Sequence, residues 1–494
     1  MDLKQKALED LDKLHAWRRY KSTLSFVLHV AAKKLFPARR LRIEHSISKG
    51  YFCHWDRKLN TEQLRRLYKK MKILIEQDHP ITTTRYTKKE AIRLFRKINR
   101  HDRVALLSTT QTSYVMISTL LNIHDTYQTP PFDTTGAVSA FDIRNFGQGM
   151  ILLFPAWQDL SVLPQYIPQF KLAKIFNEYE EWGRILGITN IEDLNQAIVD
   201  GKGTEIIKIS EALHERKIVY LSDTCLKQRK RLVLIAGPSS AGKTTTTKRL
   251  AIQLLVNGIR PLIISADDYF FPHSKTPKDE FGHLDFESLY AVDMELLNRD
   301  LRALMRGNAV TMPAFNFVTG RRCRGRTVRI PKNGVVLLEG IHCLNPKLTS
   351  KIPNRVKFKI YISALTQLNI DDHNRVSTTD TRMLRRIVRD THFRGYNVKE
   401  VLHHLARIRA GEEKNIYPFQ EEADEMFNSA LIYEPSVLKH FFIPIARRIK
   451  RKAAEYREIR RYIDFLMLFR GLKAQEVPSN SILREFIGRS SFQY

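Results

Sequence analysis

Residues 231–255 carry a pattern that few folds accommodate: an apolar run, a glycine-bounded loop and a helix in direct succession. Arg231-Leu-Val-Leu-Ile-Ala236 reads as a buried parallel strand, and Gly237-Pro-Ser-Ser-Ala-Gly-Lys243-Thr244 follows it. Thr244–Leu255 then has helical periodicity. Two glycines let the backbone turn tightly and aim several N–H groups into one cavity. Lys243 adds a mobile positive charge, and Thr244 offers a hydroxyl to a magnesium ion. The helix directs its positive dipole end to the same point. From average composition such spacing arises by chance in about one chain in fifty of this length, and the flanking strand and helix lower that figure. The expectation is an α/β domain, a parallel sheet with helices on both faces. It should bind a nucleoside triphosphate through Gly237, Ser239, Ser240, Ala241, Gly242, Lys243, Thr244 and Thr245.

The remaining chain is ample for further domains: 494 residues suffice for two or three cores. Its longest apolar runs, Leu232–Ala236 and Val335–Leu338, are strand-sized, so no membrane span is expected. Residues 1–20 read as a charged helix without an apolar signal core, which favours a cytoplasmic protein over an exported one. Cys53, Cys225, Cys323 and Cys343 are scattered with no CxxC pair, as expected of reduced thiols rather than disulfides or a zinc site. A net charge of +30 attracts polyanions. The basic clusters Arg39–Arg42, Lys227–Arg231 and Arg447–Lys452 are short and lack interleaved aromatics, so RNA is a candidate partner that charge alone does not establish. A homo-oligomer is compatible with the sequence.

Along the chain, Leu24–Phe36 reads as a second helix ending at Pro37. A strand pair is expected around Leu41–Glu44 and Gly50–Asp56, then a helix over Thr61–Gln77 with Thr61 as its N-cap and another capped at Thr87. Short strands and turns are expected over 103–157, and helices over 165–217. Ser222–Arg231, polar and basic, reads as a linker. The division is therefore 1–21, 22–222, 223–440 and a helical tail at 441–494. That tail includes an amphipathic helix at Arg457–Phe469, and Ser479–Tyr494 has no clear period.

Acidic residues at strand ends supply the rest of a reactive site. Leu262-Ile-Ile-Ser-Ala-Asp267-Asp268 is an apolar strand ending in two carboxylates, and ligands bind beyond the carboxyl ends of strands in doubly wound sheets. Asp267 there can orient an acceptor hydroxyl and take its proton, a contribution of ~10²–10⁴ to rate. Val335–Gly340 ends in Glu339, placed to hold magnesium opposite Thr244. Arg382, Arg385, Arg386 and Arg389 recur three or four apart as a cationic helical face, and Arg394 stands at the turn before Gly395. Arginines closing over phosphates suit phosphoryl transfer, which is largely charge stabilisation. His342 and Cys343 lack metal-ligand spacing and read as a packed loop.

In order, spacing and residue type, the loop, Ser265-Ala-Asp-Asp-Tyr, Leu338-Glu-Gly-Ile341, Arg385-Arg-Ile-Val-Arg-Asp-x-x-x-Arg-Gly395 and Tyr417–Asp424 resemble the uridine kinase/phosphoribulokinase family over roughly 229–440. The resemblance implies a P-loop kinase fold using ATP and Mg²⁺. Asp267 would be the base, Asp285 a contact to the acceptor's sugar, and Arg386, Arg389 and Arg394 lid residues. In that family a tyrosine stands at Phe315 and a base-contacting histidine near Gly320. Their loss removes hydrogen bonds that would select a pyrimidine, leaving the acceptor open.

Residues 22–100 resemble the editing-side domain of threonyl-tRNA synthetase. The similarity runs through Ala31–Pro37, Ile43–Asp56, Leu59-Asn-Thr-Glu, Met71–Asp78 and Glu90–Phe95. It implies an α+β synthetase-like domain ahead of the kinase, as in bacterial proteins that fuse the two. The HxxxH pair of that editing centre is replaced by Ser22 and Phe26, and no cysteine occurs between Cys53 and Cys225, so deacylation is expected to be lost. His29 and His45 lack the family spacing, and a lone histidine on an apolar helix packs. The expected function is transfer of the ATP γ-phosphate to an alcohol of a small metabolite, a nucleoside first and a sugar phosphate second. A nucleotide-dependent RNA-binding regulator is the reading of another class; it fits the charge but gives Asp267 no task.

Overall fold

The computed structural model describes residues 3–494 except 280, 281, 318 and 367. Its first element, α1 (Leu3–Leu35), joins the two helices expected over 1–20 and 24–36 into one of 33 residues. No glycine or proline interrupts it. Leu24, Phe26, Val27, Leu28, Val30 and Ala31 are all fully buried, so its second half is enclosed on every side. The helix stops before Pro37, which has no N–H to continue the ladder.

β1 (Leu41–Ile47) and β2 (Gly50–Trp55) form the expected hairpin, followed by α2 (Thr61–Glu76). The N-cap of α2 is Asn60, not Thr61. The Asn60 side chain accepts from the Gln63 N–H at 2.8 Å, and the Gln63 side chain accepts from the Asn60 N–H at 3.0 Å. This reciprocal box needs its cap residue extended, and Asn60 is, whereas Thr61 is already helical. β3 (Thr82–Thr87) leads into α3 (Lys88–Lys97), capped by Thr87 as expected. α4 (His101–Thr109) is a helix where strands and turns were expected; its Arg103, Leu106 and Leu107 are buried. β4 (Tyr114–Leu120), β5 (Ile123–Asp125), β6 (Asp142–Phe146) and β7 (Gly149–Leu153) complete two antiparallel sheets, ordered β1-β2-β7-β6 and β3-β4-β5. This first half is α+β.

α5 (Phe170–Leu186), α6 (Ile191–Val199) and α7 (Gly203–Lys227) follow. The stretch read as a linker, 222–231, is helical as far as Lys227. Leu221, Ser222 and Cys225 are buried, so this polar-looking segment keeps an inward face that holds it in the helix.

The second half contains β8 (Leu232–Ala236), α8 (Lys243–Val256), β9 (Pro261–Ser265), α9 (Met294–Met305), β10 (Val310–Asn316), β11 (Arg321–Val328), β12 (Val335–Glu339), β13 (Lys357–Ser363), α10 (Thr378–Phe393), α11 (Val398–His403), α12 (Leu405–Asn415) and β14 (Glu425–Asn428). The main sheet is parallel, ordered β14-β13-β8-β12-β9, and β10 and β11 form a separate antiparallel hairpin. Successive residues of β8 point to opposite faces, and both faces are covered. Leu232, Leu234 and Ala236 pack in a core with residues of α5 and α9, while Val233 and Ile235 pack with residues of α7 and α8. Burial on both sides is why this strand reads as an unbroken apolar run.

α13 (Glu434–Ala446), α14 (Tyr456–Leu466) and α15 (Arg484–Ile487) close the chain. The α14 residues Ile459, Tyr462 and Phe465 share one core cluster with residues of α1 and α10. Arg461 of α14 reaches both carboxylate oxygens of Asp380 at 2.7 Å, and Arg18 of α1 reaches Glu458 at 2.7 Å. A second buried network joins the halves. His29, expected to be a packing residue, lies 3.0 Å from Asp125, which also meets His373, Arg100 and Arg103; Arg103 bridges onward to Asp371. Among the described residues, no helix is long and apolar enough to cross a membrane.

Candidate active site

The loop after β8 is shaped by two glycines with different tasks. A Cβ on Gly237 would stand 2.0 Å from the Ile362 carbonyl oxygen, so only glycine lets the loop leave beside β13. Gly242 has φ +81, the left-handed conformation that releases the chain into α8. Lys243, first in that helix, donates to the Pro238 carbonyl at 3.2 Å. Ser239, Ser240 and Ala241 line the turn, and Thr244 and Thr245 follow Lys243 on α8.

Parallel pairing sets the carboxyl ends of β9 and β12 side by side, with Glu339 opposite Ser265. The Thr244 hydroxyl donates to Glu339 Oε1 at 3.3 Å, while the buried Glu339 Oε2 has no hydrogen-bond partner. Burial pushes the Glu339 carboxyl up to about 7, and Lys243 opposes that shift. An orphaned carboxylate oxygen beside a hydroxyl suits a magnesium ion, which prefers hard oxygen ligands. The two carboxylates after β9 divide. Asp268 Oδ1 accepts from the Phe315 N–H at 3.4 Å and so anchors β10. Asp267 feels Lys243: burial raises its pKa, Lys243 lowers it, and Asp268 adds a smaller upward push.

α10 lies over the loop, but its arginines do not form one cationic face. Arg382 pairs with Glu412 (2.7 Å) and donates to the Ser239 carbonyl at 3.1 Å. Arg385, fully buried, pairs with Glu434 at 2.6 Å. These two brace the loop from behind. Arg386 donates to the Ser239 hydroxyl at 3.0 Å while its Nε lies 3.3 Å from Asp390, so it spans the loop and that carboxylate. Arg389 is turned onto neighbouring Asp390 at 2.8 Å, and Arg394 is largely exposed, 3.7 Å from the same carboxylate.

Phe315 joins Phe270, Phe286, Phe317 and His273 in an aromatic cluster with centroids 5.0 to 6.3 Å apart. The His273 ring sits against Gly320, where a Cβ would be 2.1 Å from Nδ1. Asp285 turns inward locally, accepting from the Glu287 N–H at 3.1 Å. Glu287 itself is a site residue that pattern reasoning passed over. Burial and the nearby Glu412 push it up to about 7, with Arg386 and Lys243 opposing. His342 and Cys343 are 2% and 1% exposed, as expected of a packed loop.

A second unforeseen contact comes from the aperiodic tail. Ile482 packs on Gly242, and the Glu485 carboxylate accepts from the Thr245 hydroxyl at 2.6 Å and its N–H at 3.4 Å. The Tyr494 hydroxyl lies 2.9 Å from the same Thr245 oxygen. Ser479–Tyr494 has no clear period in the sequence, so no signal pointed there.

The Phosphoribulokinase / Uridine kinase family model matches residues 232–431. A uridine kinase of Deinococcus deserti is 26% identical over 204 residues, 41% of this chain and 89% of that one. A uridine kinase of Staphylococcus aureus is 28% identical over 195 residues, 39% and 84% of the two chains. A solved structure described as a possible uridine kinase from Bacillus stearothermophilus is 18% identical, with a TM-score of 0.30, covering 43% of this chain and 98% of that one.

Proposed function

We propose that this chain, whose residues 232–431 are a domain of the phosphoribulokinase/uridine kinase family, transfers the γ-phosphate of ATP to a hydroxyl of a small metabolite, a nucleoside first. The observation that carries the reading is the meeting of Lys243, Thr244, Glu339 and Asp267 at the mouth of one glycine loop. Magnesium, held by Thr244 and Glu339, would neutralise charge on the phosphates. The loop amides from Gly237 to Thr245 and the Lys243 ammonium position the phosphates, and Arg386 faces them from α10. Asp267 accepts the proton of the acceptor hydroxyl, and its burial raises its basicity towards that task. Arg389 and Arg394 reach the phosphates only after releasing Asp390, which makes them lid residues that act on closure.

The aromatic cluster at Phe315 favours a planar base over a sugar phosphate, which would call for cations there; the nearby Arg322 is committed to Asp293 at 2.9 Å. In this reading Asp285 contacts the acceptor's sugar. The synthetase-like first half is a non-hydrolytic module: at the positions of the missing pair, Phe26 is fully buried against Tyr127.

The test is ADP release across a panel of nucleosides and sugar phosphates, with and without RNA. Turnover that depends on a nucleoside and falls at least a hundredfold in both Lys243→Ala and Asp267→Asn supports the reading, in line with a base worth ~10²–10⁴. Turnover stimulated by RNA alone and indifferent to Asp267→Asn would sink it and favour the regulator.

A further inference from the structure

A cavity of about 560 Å³ lies away from the phosphate loop, walled by both halves of the chain. The first half contributes Glu44, His45 and His54; the second contributes Leu365, Asp372 and Leu431 among others. On its wall, β1 departs from regular pairing. Ile43 opposes Cys53 and Ser46 opposes Tyr51, so Glu44 and His45 together oppose the single residue Phe52. Adjacent strand residues ordinarily point to opposite faces; a bulge re-aims one of them. Here both line the same cavity.

Glu180 of α5 approaches the pair, and ligand atoms of Glu44, His45 and Glu180 all lie within 4.8 Å of one another. His45 is 8% exposed and its ring is clamped between Phe176 (3.8 Å, 11° interplanar) and Phe52 (5.2 Å, 19°). Phe176 lies one turn before Glu180 on α5, so one helix supplies both clamp and carboxylate. Both faces of the imidazole are covered, and only its nitrogen edge is left for polar contact. That edge has no hydrogen-bond partner among the described residues; its nearest charged neighbour is Glu44, at 4.0 Å. Glu44 is also held by His54 Nε2 at 2.8 Å. The neighbouring cations are engaged elsewhere: Arg184 with Glu181 at 2.8 Å, Arg42 with Asp372 at 3.9 Å, and Arg375 over the Tyr51 ring at 4.9 Å. Two carboxylates and an immobilised imidazole thus converge without a guanidinium between them.

We propose that Glu44, His45 and Glu180 bind a divalent ion of the zinc class, with His54 as a positioning residue on Glu44. Imidazole with carboxylate oxygens is a donor set such ions accept. Ligands ~2.1 Å from a tetrahedral ion stand about 3.4 Å apart, a closure that rotation of the two glutamate side chains supplies. Three protein ligands leave at least one coordination position open toward the cavity. The other histidine–carboxylate cluster, His29, Asp125 and His373, does not qualify. Arg100 and Arg103 already occupy its carboxylate, and their charge repels a cation.

The experiment uses the full chain stripped by chelation, with Mg²⁺ in excess to saturate the phosphate loop. Zn²⁺ is titrated calorimetrically and Co²⁺ by its visible absorption. The expected result is one ion per chain, bound about tenfold or more weakly in His45→Ala and in Glu180→Gln, with stoichiometry kept in Thr244→Ala. Should His45→Ala fail to fold by circular dichroism, Glu180→Gln, isosteric and only partly buried, decides. No Zn²⁺ or Co²⁺ binding, or binding equal in wild type and Glu180→Gln, would overturn the proposal.

Discussion

Glu485→Gln is expected to tighten nucleotide binding and weaken the empty protein by similar amounts. Glu485 accepts from the Thr245 hydroxyl at 2.6 Å and faces its N–H at 3.4 Å, in the first turn of the helix that would hold the phosphates. A charge-assisted hydrogen bond contributes about 1.5–3 kcal/mol, and a carboxylate at a helix start about 0.3–1 kcal/mol. An incoming phosphate needs the same two groups and is repelled by the carboxylate, so it must displace Glu485 first. Glutamine keeps the shape and a neutral acceptor, which is roughly half as strong. The loss is about 1.4 kcal/mol, equivalent to about tenfold in the Kd of ATP. The same loss lowers the Tm of the nucleotide-free chain by about 1 °C. Displacement of a fluorescent nucleotide reads the first effect and thermal unfolding the second. Lys243→Ala checks that the signal comes from the loop. A lowered Tm with unchanged or weaker ATP binding would refute the reasoning, since tail and phosphates would then occupy separate positions.

Three further outcomes follow from the same geometry. Glu287 is raised from a carboxyl's ordinary 4.5 to about 7, so the folded state holds its proton more tightly and stability falls as pH rises between those values. Glu287→Gln should therefore raise Tm at pH 8, by up to about 3 kcal/mol of stability, and leave it unchanged at pH 4.5. Glu434→Ala leaves the fully buried Arg385 without its carboxylate and should cost about 3–5 kcal/mol in urea unfolding. Gly237→Ala sets a methyl group 2.0 Å from the Ile362 carbonyl; the displaced loop should lose about a hundredfold in turnover, with far-UV circular dichroism unchanged.

What could be read beforehand was whatever rests on neighbours in sequence. A strand buried on both faces must be apolar throughout, a phosphate loop must place its glycines at set offsets, and a parallel strand must end at the same edge as its partners. Leu232–Ala236, Gly237–Thr244, Asp267 and Glu339 were legible for those reasons. The arginines of α10 show the limit. Their spacing put them on one helix, but Arg382 and Arg385 turn to Glu412 and Glu434, acids 30 and 49 residues away, leaving Arg386 for the loop. Likewise, 222–231 reads as polar linker until the sheet beneath Leu221 and Cys225 makes it helix as far as Lys227. His29 and His45 carry no motif. Only folding brings Asp125 and His373 to one and Glu180 to the other, because contacts between distant segments depend on how sheets and helices stack. The sequence alone determined the strand, the loop and the helix that follows it; the tertiary structure decided which charged side chains stay free to act, since a buried charge goes to whichever opposite charge the packing brings within reach.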